Sequence, residues 1–312
     1  MSFTIILILI ALLDLIFLIF ALKYKNVRLW FVAVHTTIAA VLYQRSTGPT
    51  YPFKGKISHS EQSYKYKLLR SHETTQGATI ELPYIDTAND YRATLNYKRY
   101  QTNDSLTTVP FTLNSDNKFT ADLPVQPAAG KMEYFISGTI DANDFHIPEQ
   151  GEDSIVLRYK DPVPNGVLIP HIFLMFFAIL FGIKAGLSAL FDPKTMRRCA
   201  IIAFIGMTVG GMVLGPIVQK NAFGEYWTGF PFGGDFTDNK MLIMWLVWLI
   251  ALAIAGFKPK PKEKLSRIAI ILAAAVMTLV YLIPHSMGGS TLDYDKVDQG
   301  IHPSEAIKTG AE

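Results

Sequence analysis

Six strongly apolar stretches run through this chain, two before and four after a polar insert of 122 residues from Gln44 to Asn165. They span Phe3 to Leu22, Leu29 to Tyr43, Gly166 to Phe191, Ala200 to Val218, Met241 to Phe257 and Ile268 to Ile283. A helix rises about 1.5 Å per residue, so about 20 apolar residues cross the ~30 Å of hydrocarbon in a bilayer. The lengths bracket that requirement and predict an α-helical membrane bundle of six spans arranged 2+4. The second stretch is short and needs its flanks, with Trp30 and Tyr43 placed as interfacial anchors.

Inside the insert the period changes. Short segments of β-branched, aromatic or alternating character recur about every ten residues. They are Ala78 to Leu82, Tyr91 to Tyr100, Thr107 to Leu113, Lys118 to Leu123, Met132 to Ile140 and Ser154 to Tyr159. Polar turns such as Asn114-Ser115-Asp116-Asn117 separate them, the pattern of an all-β sandwich. The reading is therefore two spans in 1–44, a β-sandwich domain in 45–165, and four spans in 166–285 with a loop at 219–240. A tail follows at 286–312.

Charge adds orientation. Lys23, Lys25 and Arg28 lie between the first two spans, Lys194, Arg197 and Arg198 between the third and fourth, and Lys258, Lys260, Lys262, Lys264 and Arg267 between the last two. Short basic loops stay in the cytoplasm. That sets both termini, the insert and the 219–240 loop on the outer side. With no Lys or Arg before the first span and no small-residue cleavage site after it, the first span reads as a retained helix rather than a signal peptide. The net charge of +3 is thus a topology signal, and it gives no reason to expect nucleic acid. The insert is close to neutral, 13 basic against 15 acidic residues. Cys199 is the single cysteine, so no disulfide can form within one chain.

Two polar constellations carry candidate chemistry. Asp14, His35 and Lys184 lie about 9 to 12 Å from the inner ends of their spans at ~1.5 Å per residue. Ionisable groups in hydrocarbon need partners, and they mark function by default. An Asp14–Lys184 pair with His35 hydrogen-bonded is expected, serving either as a tie between spans or as part of an ion path. At the outer face, Pro170-His171 opens the third span and Pro284-His285 closes the sixth. Facing imidazoles, with Asp235 or Asp238 beside them, are what a transition metal or a haem requires. The loop between them holds Tyr226, Trp227 and Lys240, with Gly229, Gly233 and Gly234 permitting sharp turns. Asp235 or Thr237 can cap the fifth span. Gly206, Gly210, Gly211 and Gly215 form small-residue patterns that predict close helix packing. No nucleophile elbow, phosphate loop or zinc-protease helix is present, so the residues give no catalytic assignment.

The stretch Leu123-Pro124-Val125-Gln126-Pro127-Ala128-Ala129-Gly130-Lys131-Met132-Glu133-Tyr134 resembles the turn before a late strand in fibronectin type III and immunoglobulin-like domains. The resemblance assigns Tyr134 the tyrosine whose hydroxyl ties that corner to backbone. The runs Gly215-Pro216-Ile217-Val218-Gln219-Lys220, Tyr226-Trp227-Thr228-Gly229, Asp235-Phe236-Thr237-Asp238-Asn239-Lys240 and Tyr281-Leu282-Ile283-Pro284-His285-Ser286 resemble a group of bacterial polytopic inner-membrane proteins without an assigned activity. That likeness covers about the C-terminal third, and it implies a bacterial plasma membrane. The expectation is a binding or assembly component of a membrane complex, meeting a protein partner through its external domain or loop. A membrane oxidoreductase subunit with metal or haem at the outer face and an ion-coupled transporter are the alternatives.

Overall fold

A computed structural model describes residues 3–116, 118–261, 263–284 and 289–308. The chain divides into two compact units. Met1–Ser46, Asn165–Val218 and Asp238–His285 form one, and Thr47–Pro164, Gln219–Thr237 and Ser286–Glu312 form the other. The loop and the tail, read from the sequence as separate segments, belong to the same unit as the sheets.

The helices are α1 (Phe3–Lys23), α2 (Lys25–Thr47), α3 (Asn165–Phe191), α4 (Met196–Met207), α5 (Gly215–Phe223), α6 (Phe236–Ala255) and α7 (Lys264–Leu282), all in the helical unit except that α5 passes into the second unit at Gln219 and α2 and α6 each share end residues with it. Among the described residues five helical stretches are long and apolar enough to cross a membrane: α2, α3, the run Pro193–Phe223, α6 and α7. The second apolar stretch is thus the middle of a 23-residue helix. Small residues set the packing. A methyl group at Gly182 would fall 2.4 Å from Met277 Cε, one at Gly186 2.6 Å from Ala274 Cβ, and one at Gly210 2.7 Å from Leu174 Cβ. Backbones that close leave no room for side chains, which bears out the expected small-residue packing for Gly210. Between α4 and α5 the helix widens into a π turn over Thr208–Leu214, which the apolar pattern did not announce.

The basic residues of the short loops also finish helices. Arg28 Nε donates to the Ala21 carbonyl at 3.2 Å, Arg197 Nε to Ala255 at 3.2 Å, and Arg267 Nε to Ala189 at 2.6 Å. Each guanidinium meets the last carbonyls of α1, α6 or α3, where the helix dipole is negative and acceptors lack intrahelical partners.

The second unit is built on β1 (Phe53–His59), β2 (Gln62–Leu68), β3 (Ser71–Glu73), β4 (Ala78–Leu82), β5 (Tyr91–Arg99), β6 (Thr107–Pro110), β7 (Thr112–Leu113), β8 (Phe119–Leu123), β9 (Lys131–Ile140), β10 (Asn143–Ile147) and β11 (Ile155–Lys160). The larger sheet runs β3-β11-β9-β5-β6 with β10 also on β9, and the smaller runs β4-β8-β7. Alternation turns Met132, Tyr134 and Ile136 of β9 inward onto Ile80, Leu82, Leu95, Leu123 and Leu157. Each such side chain contributes about 1.5 to 3 kcal/mol by its burial. The expected strand Thr107 to Leu113 is two strands: β6 pairs with β5, while β7 pairs with β8 of the other sheet. Buried Phe111 sits at the crossing between them.

Three elements escape the hydrophobic pattern: the β1–β2 hairpin, β3 and β10. Lys54, Lys56, Lys65 and Lys67 make the hairpin read as polar, since only one face is covered. The tyrosine assignment also changes. Tyr134 is buried and its hydroxyl does bond backbone, but it donates to the Leu69 carbonyl at 2.7 Å. It is Tyr159 that ties the Leu123-Pro124 corner, donating to the Pro124 carbonyl at 2.9 Å. Tyr134 points into the core toward the turn after β2, so β11 rather than β9 supplies the aromatic at that corner.

The tail contributes β12 (Thr291–Leu292), α8 (Tyr294–Asp298) and β13 (Ile307–Lys308). Arg99 fastens it. Its guanidinium grips Asp104 at 2.6 and 2.9 Å, grips Asp298 at 2.7 and 2.8 Å, and lies over the Tyr294 ring at 4.9 Å. That double fork holds the Asp104 carboxyl down at about 2. Replacing Arg99 with Met should loosen the tail, because it removes both the fork to Asp298 and the contact with the Tyr294 ring. Limited proteolysis of the full chain should then release fragments cut after residue 290 several times faster. An unchanged cleavage rate would show that Arg99 does not hold the tail.

Candidate functional site

The outward face of the larger sheet carries a polar groove. Strand periodicity puts Arg92 and Thr94 of β5, Ser137 and Thr139 of β9, and Asp144 and His146 of β10 on one face. They line a groove of about 600 Å³, walled by Glu149 and Gln150, within the size range of ligand sites. The side chains are braced against each other. Thr94 and Ser137 hydroxyls lie 3.0 Å apart, Asn96 Nδ2 donates to Ser137 Oγ at 3.0 Å, and His146 stacks on Phe135 at 4.8 Å. Inside the sheet at the same level, Gly138 is required, because a methyl group there would run into the Arg92 backbone carbonyl and come within 2.7 Å of the Phe145 ring. The groove therefore presents hydroxyls, an imidazole and charges of both signs on a rigid platform.

The other end of this face is closed. Lys131 and Arg158 stand directly opposite each other on β9 and β11. The Lys131 ammonium donates to Thr291 Oγ1 and points at the Gly289 carbonyl. Arg158 is buried with its guanidinium 5.0 Å from the centre of the Phe223 ring. Desolvation draws Lys131 down to about 8 and Arg158 to about 10, and the Asp235 charge opposes both shifts. Both cations thus keep their charge at neutral pH.

Asp235 is buried, accepting from Thr237 N at 2.8 Å, Ser290 N at 3.1 Å and Ser290 Oγ at 3.2 Å. Of the two capping candidates it is Asp235 that receives the first-turn N–H of α6. In the loop, Gln219 Nε2 donates to Thr228 Oγ1 at 2.6 Å and Trp227 Nε1 to the Phe230 carbonyl at 3.1 Å. Tyr226 is exposed beneath the Lys220 ammonium, 5.4 Å away.

The intramembrane candidates resolve into separate groups. Asp14 pairs with His35 at 2.9 Å. Lys184 is fully buried, and its ammonium donates to Asn26 Oδ1 at 3.1 Å, Ser188 Oγ at 2.9 Å and Thr195 Oγ1 at 3.4 Å, with the Trp30 ring 5.2 Å away. The expected Asp14–Lys184 pair does not form. Neutral acceptors from three helices satisfy the ammonium, and the carboxylate turns to the nearer imidazole on α2.

At the outer candidates, His171 is tied by Nδ1 to the Gly210 carbonyl at 2.7 Å. Gly210 lies within the π turn, so this bond ties α3 to the wider turn. Asp238 is buried in the first turn of α6, and Lys240 Nζ donates to the Pro284 carbonyl at 3.0 Å. His285 lies outside the described residues. Among the described residues no three His, Cys, Asp or Glu side chains gather as a metal would need.

No family model matches the chain, and no curated protein matches it.

Lys131 offers a direct test of the closed end. Its folded value of about 8 lies below the ordinary 10.5. Below pH 8 the folded and unfolded chains both carry the proton. Between about 8 and 10.5 only the unfolded chain does, so rising pH stabilises the fold through this group. Relative to Lys131→Met, the wild type should gain up to about 1.4 kcal/mol per pH unit across that window. Denaturant unfolding of both proteins at pH 7.5 to 10 measures it, and parallel curves would count against a desolvated Lys131.

Proposed function

We propose that this chain is a six-span protein of a bacterial plasma membrane whose immunoglobulin-like β unit, on the outer side, binds an extended polar segment of a protein partner. The groove formed by Arg92, Thr94, Ser137, Thr139, Asp144 and His146 carries this reading. Groups on three neighbouring strands, braced by one another, are preorganised to accept and donate hydrogen bonds, and preorganisation is what makes a polar surface a binding surface. Strand β10 pairs with β9 and borders the groove, so a partner strand can add along it while sending alternate side chains into the hydroxyl-lined floor.

The topology follows from charge. The three segments that make up the β unit, 47–164, 219–237 and 286–312, are the ones the basic loops set on the outer side. Binding is preferred to ion-coupled transport because Asp14–His35 and Lys184 have different hydrogen-bond partners. A relay would need them joined.

The test is a photo-crosslinking amino acid placed at Thr94 or at Thr139 in cells producing the full chain. Each should give an adduct of one defined mass, lost on adding Ser137→Trp to fill the groove, while the same label at Lys118 gives none. Adducts from all three positions, or adducts indifferent to Ser137→Trp, would remove the groove from the mechanism. Reporter fusions after residue 165 and after residue 262 should read outside and inside respectively.

A further inference from the structure

The closed end of the same sheet face holds a charge that the protein leaves unanswered. Arg158 is only 9% exposed, and its Nε is sealed from solvent with no acceptor. Among the described residues its guanidinium makes no hydrogen bond and no ion pair; its recorded neighbour is the Phe223 ring at 5.0 Å. Buried arginines are paired or hydrogen-bonded as a rule, because an ion removed from water without compensation is costly. This one is further burdened by Lys131 directly across the strand pair, a like-charge arrangement that destabilises a sheet.

The protein's own acceptors are spent elsewhere. Thr291 Oγ1 and the Gly289 carbonyl serve Lys131. The Asp235 carboxylate receives Thr237 N, Ser290 N and Ser290 Oγ, and influences both cations as a field charge. One carboxylate thus acts on both cations, and neither cation has it as a hydrogen-bond partner among the described contacts. The ring against the guanidinium covers one side of it and leaves its N–H groups for an acceptor.

We infer that Arg158, with Lys131 beside it, is the binding site for a small oxyanion of single negative charge, a carboxylate or a phosphate group, seated against the sheet beneath the 219–237 loop and the C-terminal tail. The planar fork of five N–H donors matches two oxygens of such a group, which a halide cannot offer. The bound anion would offset the like charges of Lys131 and Arg158 and supply the missing acceptor of Nε. This site is separate from the open groove and does not depend on the partner reading.

The test uses the full chain in a neutral detergent with chloride at constant ionic strength. Sodium acetate and sodium phosphate are titrated in turn, and thermal unfolding is followed. Wild type should show a saturable rise in melting temperature with one or both anions. The half-saturating concentration should increase at least tenfold in Arg158→Gln, and should also increase in Lys131→Met. Arg158→Met should melt above wild type when no oxyanion is present, because it removes an uncompensated buried cation. A parallel arm in nanodiscs with and without phosphatidylglycerol separates the sources. Stabilisation by that lipid alone, lost in Arg158→Gln, places a headgroup phosphate in the site, whereas stabilisation by the dissolved salts assigns it to a free anion. The inference is overturned if neither source gives a saturable effect, or if the effect survives Arg158→Gln. It is equally overturned if Arg158→Met melts below anion-free wild type, which would make Arg158 a stacking residue for Phe223.

Discussion

A lysine and an arginine facing each other on adjacent strands, on a sheet face that ends up buried, are the constraint around which the second unit is organised. Left to the sheet alone, Lys131 and Arg158 would repel at the cost of about 0.2 to 1 kcal/mol and stay in water. Instead they are covered. The carboxylate of Asp235, the hydroxyl of Thr291, the carbonyl of Gly289 and the ring of Phe223 come from the loop at 219–237 and the tail at 286–312. Segments separated by long apolar helices are thereby drawn into one body. Arg99 repeats the device farther along, joining β5 to α8 through Asp298.

The helical unit meets the same problem with different means. A lone charge at the centre of a span costs about 2.5 to 3.5 kcal/mol on insertion scales. Lys184 avoids this without a carboxylate, by gathering an amide oxygen, two hydroxyls and an indole face at the junction of α2, α3 and α4. At the π turn Gly210 and Gly211 approach α3 and α6 closely, and the Gly210 carbonyl also meets the His171 imidazole. In both places a polar group inside an apolar bundle is satisfied by backbone or neutral side chains, leaving helix packing unperturbed.

Hydropathy made the spans legible, because twenty apolar residues in a row leave a globular chain few alternatives. The sandwich strands that bury both neighbours, such as Ala78–Leu82 and Met132–Ile140, were legible by alternation. The lysine-bearing hairpin was not, since a strand covered on one face by few residues carries too little apolar signal. The site fared worse for a definite reason. His171, Asp235 and Lys184 stood out as charges or imidazoles in apolar surroundings, yet what each binds depends on register and on which helices adjoin. Arg158 did leave a mark, a lone charge in Ile155-Val156-Leu157-Arg158-Tyr159. A charge at that place in a strand carries no sign of the loop and tail that cover it.

The two ends of one sheet face now divide the chemistry. At the β10 end, hydroxyls and an imidazole on a braced platform remain open, and a polar surface of that kind gains by exchanging water for a partner's hydrogen bonds only if its own geometry is already set. At the β11 end, loop and tail leave Arg158 only 9% exposed, so each electrostatic interaction there is stronger and each unmet one more costly. A site that must recognise many groups along a segment suits the open end. One that must hold a single charge suits the closed end, where the low dielectric that burdens an unpaired guanidinium would also favour the anion that pairs with it.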